Sequence, residues 1–381
     1  IPAARTVLHF SLLAFVINLM SVPQMASITA HEKMSAYAYI GILDGVLRFL
    51  VAMMIMRSSG DRLVLYAMLM AASVMIVRMA YSRYCSRHFE ECRFRFVFDR
   101  SLLKEMFSFA GWNFIGETAG VLRDQGGNIL INIFFGPAVN AARGLALQIN
   151  NVVIGFVTNF MTAVNPQITK SYASGDRKYM YYLISKSSRM SYYLLFVLAL
   201  PVLMNTGYIL DLWLKDVPAH SELFVQLFLV FALSESLSNP LITAQLATGN
   251  IRKYQLVVGG LQLLNIPVSY AFLKAGAVPE ITVAVSIVIS QICLFARLFM
   301  LRGMIGLPAG DFIRKVYLNV MAVSSVSLAL PLMICRLLPE GFWGFATSVA
   351  VCVLSATLSV SFIGLSRSER REIVSMIKEK I

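Results

Sequence analysis

Four polar residues recur on one face of a long stretch, residues 103–135, that is apolar in the main but carries many polar residues. Asn113, Glu117, Asp124 and Asn128 fall within a sector of about 60° on a helix that turns about 100° per residue. Arg123 and Gln125 flank them, and Gly126-Gly127 weakens the helix there. On the next stretch, 138–165, Asn140, Gly144, Asn151, Gly155, Thr158, Thr162 and Asn165 share a sector of roughly 80°, with Arg143 beside it. Amides, hydroxyls and guanidinium groups suit sugar hydroxyls and phosphate oxygens, and an arginine can hold a phosphate through two parallel N–H bonds. Asn, Gly and Thr also cement helices together in lipid. The density of charge favours a wet cavity over packing alone.

Other chemistry finds little support. The histidines His9, His31, His88 and His220 are scattered and match no metal-ligand spacing, and no phosphate-binding glycine loop of Walker type occurs. Cys85 and Cys92 flank a loop holding His88, but the spacing fits no zinc pattern. The expectation is a non-enzyme with no cofactor and no metal. Asp44 and Arg48 form an i, i+4 pair that neutralises itself. Asp44 and Glu117 are the candidates for coupling to an ion. Arg78 and Arg297 lie close enough to basic loops to snorkel.

The elements that must carry these residues are membrane helices. Hydrophobic residues make up 58% of the 381 and charged ones 14%, against about 25% charged in a soluble domain. Mean hydropathy is +0.71. Runs of roughly 20 apolar residues give eleven predicted spans. They lie near 7–30, 35–56, 62–84, 103–135, 138–165, 180–204, 222–247, 254–273, 279–301, 315–335 and 341–364. The net charge of +13 might point to nucleic acid, but alternate gaps between spans, with the tail, hold 20 Lys and Arg while the opposite gaps hold five. That bias is the positive-inside signature, which predicts a cytoplasmic C-terminus and excludes a nucleic-acid partner.

A pattern Ser-x-Pro-x₆-Ala-x₆-Tyr occurs at Ser21, Pro23, Ala30 and Tyr37, and again at Ser238, Pro240, Ala247 and Tyr254. A duplicated helical unit points to two pseudo-symmetric lobes with a site between them. The offset places the counterpart of the span near 103 ahead of residue 1, so three helices of the first lobe are expected to be missing. The expected organisation is 1–100, a partial first lobe and basic linker; 101–305, a six-helix second lobe; 306–365, two further spans; and 366–381, a cytoplasmic tail that reads as a short amphipathic helix.

The run Leu122 to Asn128 (LRDQGGN) is followed by Asn132 to Gly144 (NIFFGPAVNAARG) and Asn165 to Lys170 (NPQITK). With Leu212-Trp213-Leu214 and Ala247 to Tyr254 (ATGNIRKY), these runs resemble polysaccharide biosynthesis membrane proteins of the Bacteroidetes type. Those are Wzx-like flippases of the MATE-related exporter superfamily. The resemblance implies an all-α membrane protein with MATE-like lobes in the bacterial inner membrane. It implies flipping of an undecaprenyl-pyrophosphate-linked oligosaccharide for O-antigen or capsule (lipopolysaccharide or surface polysaccharide) by alternating access. A polysaccharide polymerase and glycosyltransferases are the expected partners beside membrane lipids. In family terms Arg123 and Arg143 are the candidates for pyrophosphate or sugar contact, Asp124, Asn128 and Asn151 for sugar contact. Cation-coupled efflux of small molecules on the same scaffold is the alternative, kept open by Glu117 and Asp124. A membrane glycosyltransferase ranks last, because the longest outer loop, about 205–221, is short.

Overall fold

The computed structural model describes residues 2–57, 61–92, 98–334, 339, 341–366 and 369–371. Among them every regular element is helical. The chain divides into two units, Ile1–Asp99 and Arg100–Ile381.

The first unit holds α1 (Pro2–Ala30), α2 (Met34–Arg57) and α3 (Arg62–His88), followed by one 3₁₀ turn at Glu90–Cys92. Glu32 takes a left-handed φ of 55° in the tight turn joining α1 to α2. Asp61 caps α3 by accepting from the Leu63 and Val64 N–H groups at 3.0 and 3.3 Å, which satisfies donors the helix itself leaves open. The buried seam of α3 includes the small residues Ala67, Ala71 and Ser73. Small side chains let helix backbones approach where lipid supplies no hydrophobic drive. At one end Ile28, Ala36, Ile40, Tyr81, Cys85 and Phe89 form a local core. There the His31 ring stacks on Phe89 at 4.2 Å and bonds Glu91. That hydrogen bond holds the Glu91 carboxyl below the usual carboxylate range. Arg48 Nε donates to Asp44 Oδ2 at 3.0 Å, the pairing the i, i+4 spacing predicts.

The second unit begins with two long helices, α4 (Arg100–Phe135) and α5 (Pro137–Ala173). It continues through α6 (Arg177–Met204), α7 (Thr206–Trp213), α8 (Ser221–Ser236), α9 (Asn239–Ala247), α10 (Arg252–Leu263), α11 (Asn265–Lys274) and α12 (Ile281–Ile305). After α13 (Ala309–Phe312) and a π-helical stretch at Ile313–Tyr317 come α14 (Leu318–Ile334) and α15 (Phe342–Ser359). The core is built on α6, whose Ile184, Leu195 and Leu200 are wholly buried, with Leu229 of α8 and Leu298 of α12.

Ten helical stretches among the described residues are long and apolar enough to cross a membrane. The pairs α8–α9 and α10–α11 each act as one such stretch. The chain is therefore a multi-pass membrane protein. The eleventh expected span, 103–135, does form a continuous helix, but α4 carries too many polar residues to count by hydropathy. Gly126-Gly127 does not interrupt it. Arg297 departs further from expectation: it does not snorkel but is 2% exposed on α12.

The two copies of the repeated motif share a helix–turn–helix layout but differ in backbone. Pro23 lies inside the unbroken α1, whereas Pro240 opens α9 after a break. A proline lacks the N–H that a helix interior needs, so it is tolerated most easily in a first turn. Most of the predicted tail helix lies outside the described residues. Its start is described: Ser366 N donates to Glu369 Oε2 at 2.8 Å and Glu369 N to Ser366 Oγ at 3.3 Å, a reciprocal capping box.

Candidate functional site in the second unit

Gly136 joins α4 to α5 with φ 83° and ψ 179°, a conformation open essentially to glycine alone. Pro137 then starts α5, where its missing N–H costs nothing. This turn brings the polar stripe of α4 against that of α5.

The stripes serve two ends. Arg143 is 4% exposed. Its Nη1 donates to the Asn128 side-chain carbonyl and its Nη2 to the Asp124 main-chain carbonyl at 3.3 Å. The guanidinium lies 5.4 Å from the Phe228 ring centroid. A Cβ on Gly127 would come within 3.1 Å of Nη2, so the glycine gives the guanidinium its room. Asn128 is half-buried and also donates to Gln125 Oε1 at 3.1 Å. A buried guanidinium must find acceptors, and the neighbouring turn of α4 supplies two, leaving Nε without a partner among the described residues.

Arg123 does face open space. Its Nε donates to Asp124 Oδ1 at 2.9 Å and its guanidinium lies 5.1 Å from the Phe231 ring centroid. Two cavities meet at this residue. The first, about 310 Å³, is lined by Arg123, Asp124, Asn150, Asn151, Thr158 and Glu235 among others. The second, about 200 Å³, is lined by Arg123, Asn113, Glu117, Glu235, Gln262 and Arg297 among others. Of the sequence-predicted residues, Arg123, Asp124, Asn151 and Glu117 therefore reach a cavity wall. Asp44 belongs to the first unit.

Glu235 is shared by both cavities and escaped the sequence reading. It sits between Ser234 and Ser236 at the end of an apolar helix, and an in-span carboxylate is itself a functional signal. Ser290 Oγ donates to its Oε1 at 2.5 Å. Ser234 and Ser290 share a 2.7 Å hydrogen bond, Gln291 Nε2 donates to Ser234 Oγ, and Tyr317 donates to Gln291 Oε1 at 3.0 Å. With Tyr317 and Gln291 donating inward, the chain has one consistent direction, ending on the carboxylate.

A third cavity of about 810 Å³ lies at the start of α4, beside Lys104, Glu105 and Asn250. Arg252 covers Trp112 there at 5.0 Å from the ring centroid.

Chemically, the two inner cavities combine fixed cations, carboxylates and amides inside a membrane-spanning unit. That set can hold a polar, charged ligand away from lipid. Comparison with family models, curated proteins and solved structures finds no match to this chain.

Proposed function

We propose that this protein moves a lipid-linked oligosaccharide across the bacterial inner membrane, with its C-terminus in the cytoplasm. The observation that carries the reading is the pair of polar cavities, about 310 and 200 Å³, that share Arg123 and Glu235 within a multi-pass helical unit. Polar groups in hydrocarbon are costly, and such a cluster is retained where it handles a polar cargo or ion. Sugar hydroxyls are served by the amides and hydroxyls of Asn150, Asn151 and Thr158. A pyrophosphate is served by Arg123, while Arg143 holds α4 and α5 in register. The family resemblance supplies the cargo, an undecaprenyl-pyrophosphate-linked glycan for surface polysaccharide, and the mode, alternating access.

The test is genetic. Arg123→Ala or Glu235→Gln at the native locus is expected to abolish surface polysaccharide with membrane protein abundance unchanged. Normal polysaccharide in both strains would overturn the assignment. A second reading, cation-coupled efflux of small molecules, draws on the three carboxylates Glu117, Asp124 and Glu235 at the cavity walls. It predicts that a deletion strain becomes drug-sensitive while its glycan stays intact.

A further inference from the structure

The cavity of about 810 Å³ at the start of α4 has no role in the site described above. Gly249, Asn250 and Arg252 line it, and they come from the turn between two membrane-crossing stretches, Ser221–Ala247 and Arg252–Lys274. That turn puts the cavity at the boundary between bilayer and water, where tryptophan and headgroup-binding cations gather.

Lys104 of α4 and Arg252 of α10 reach the same wall from different helices. Neither forms an ion pair with an acid among the described residues, although Glu105 also lines the cavity. Arg252 lies instead over the Trp112 ring, 5.0 Å from its centroid. Trp112 packs in turn against the local core that contains Ile251, Tyr254 and Val258, which makes the indole a fixed platform. The ring attracts the charge without supplying a hydrogen-bond acceptor, so the guanidinium keeps its donors for a phosphate held by two parallel bonds. Membrane orientation asks for basic residues in this turn; it does not ask for one seated on an indole in a cavity wall. Met106 and Phe109, both exposed, add an apolar section to the same lining.

We infer that this cleft holds the headgroup of an anionic phospholipid. Two cations against one carboxylate leave the lining with a single positive charge, which one phosphodiester neutralises. The phosphate sits on Lys104 and Arg252, the headgroup hydroxyls are served by Asn250 and Glu105, and the first chain carbons meet Met106 and Phe109. At about 30 Å³ per water the volume equals roughly 27 waters, room for a headgroup and the start of its chains. Bound there, the lipid bridges the start of α4 to the first turn of α10. The inference needs only the membrane-crossing helices and this wall, and stands apart from the transport reading.

The experiment uses the full chain carrying Trp213→Phe and Trp343→Phe, which leaves Trp112 as its one indole. The protein is placed in phosphatidylcholine nanodiscs with a minor share of a lipid brominated near the headgroup, since bromine quenches an indole it touches. Titrating that share gives the affinity of the brominated lipid relative to phosphatidylcholine. Phosphatidylglycerol is expected to be preferred about fivefold or more. Arg252→Gln and Lys104→Gln should each remove most of the preference, and Glu105→Gln should increase it. All three side chains are exposed, so the variants are expected to fold. Equal quenching by brominated phosphatidylglycerol and phosphatidylcholine, or cation variants that keep the parent preference, would overturn the inference. A preference for phosphatidylethanolamine that Glu105→Gln abolishes would overturn it in favour of a zwitterionic headgroup. Relief of quenching by farnesyl diphosphate but not by unbrominated phosphatidylglycerol would overturn it in favour of a diphosphate lipid.

Discussion

Arg143 donates to the side-chain carbonyl of Asn128, fifteen residues earlier in the chain, so that one hydrogen bond ties α5 to α4. Arg143→Ala deletes this tie, the bond to the Asp124 carbonyl and the contact with Phe228. The expected cost is about 2–3 kcal/mol of stability, in the range for removing one partner of buried hydrogen bonds. Arg143→Lys should not rescue it, because an ammonium cannot span both acceptors in one plane. Thermal unfolding in detergent reads the effect, and an unchanged Tm for Arg143→Ala would show that the tie carries no stability.

Arg123 should behave in the opposite way. Its partner Asp124 has a side chain 54% exposed, so the ion pair contributes about 0–1 kcal/mol. Asp124→Asn is therefore expected to leave Tm almost unchanged while impairing export. A large drop in Tm would mean that Asp124 is structural and would remove it from the candidate site.

Ser290 and Glu235 are coupled through the directed chain from Tyr317. Ser290→Ala leaves a carboxylate oxygen and the Ser234 hydroxyl short of a partner, at an expected cost of about 1–3 kcal/mol. Tyr317→Phe should cost about 1 kcal/mol. Because both act on one network, the double variant is expected to lose less than the two single losses combined. Strict additivity in unfolding measurements would show that the chain does not act as a unit.

How much of this was legible beforehand follows from what each signal measures. Hydropathy registers apolar length, so it located the spans and nearly failed at α4, whose polar stripe lowers the average. Helical spacing grouped Arg123, Asp124, Glu117 and Asn151, each of which lines one of the two inner cavities. It could not tell which side chains bond a neighbouring helix, so the tie between Arg143 and Asn128 was not legible. Glu235 and Arg297 belong to different spans, and their meeting is a tertiary event that no single-helix periodicity contains. Arg297 also shows the limit of a distance argument: proximity to a loop allows snorkelling, but the rotation of α12 decides it.

The start of the tail is held to α6. Arg189 Nη2 donates to Glu369 Oε1 at 2.6 Å, and Nη1 to the Gly364 carbonyl at 3.0 Å. Burial pushes the Glu369 carboxyl up, but the hydrogen bonds from Ser366 and the charge of Arg189 more than offset it, leaving it below the usual carboxylate range. A depressed carboxylate adds stability that is present above its unfolded-state pKa and is lost as pH falls through the lower folded value. Parent Tm should therefore fall more steeply than that of Glu369→Gln on acidification below the ordinary glutamate range. At neutral pH, Glu369→Gln should itself cost about 1–3 kcal/mol. Parallel Tm profiles for the two proteins would show that Glu369 contributes nothing to the acid dependence.

Gly136 tests whether the α4–α5 turn sets the site. At φ 83° and ψ 179° any side chain is strained, so Gly136→Ala is expected to cost about 1–3 kcal/mol. The turn also fixes where Asn128 meets Arg143, since both lie within eight residues of it. If the strain is relieved by shifting α5 against α4, that hydrogen bond is already lost in Gly136→Ala. Arg143→Ala should then cost less in the Gly136→Ala background than in the parent. A double-mutant cycle in thermal unfolding measures the difference directly. A coupling energy near zero would mean that the turn and the tie hold the two helices independently, and that Gly136 has no part in placing Arg143.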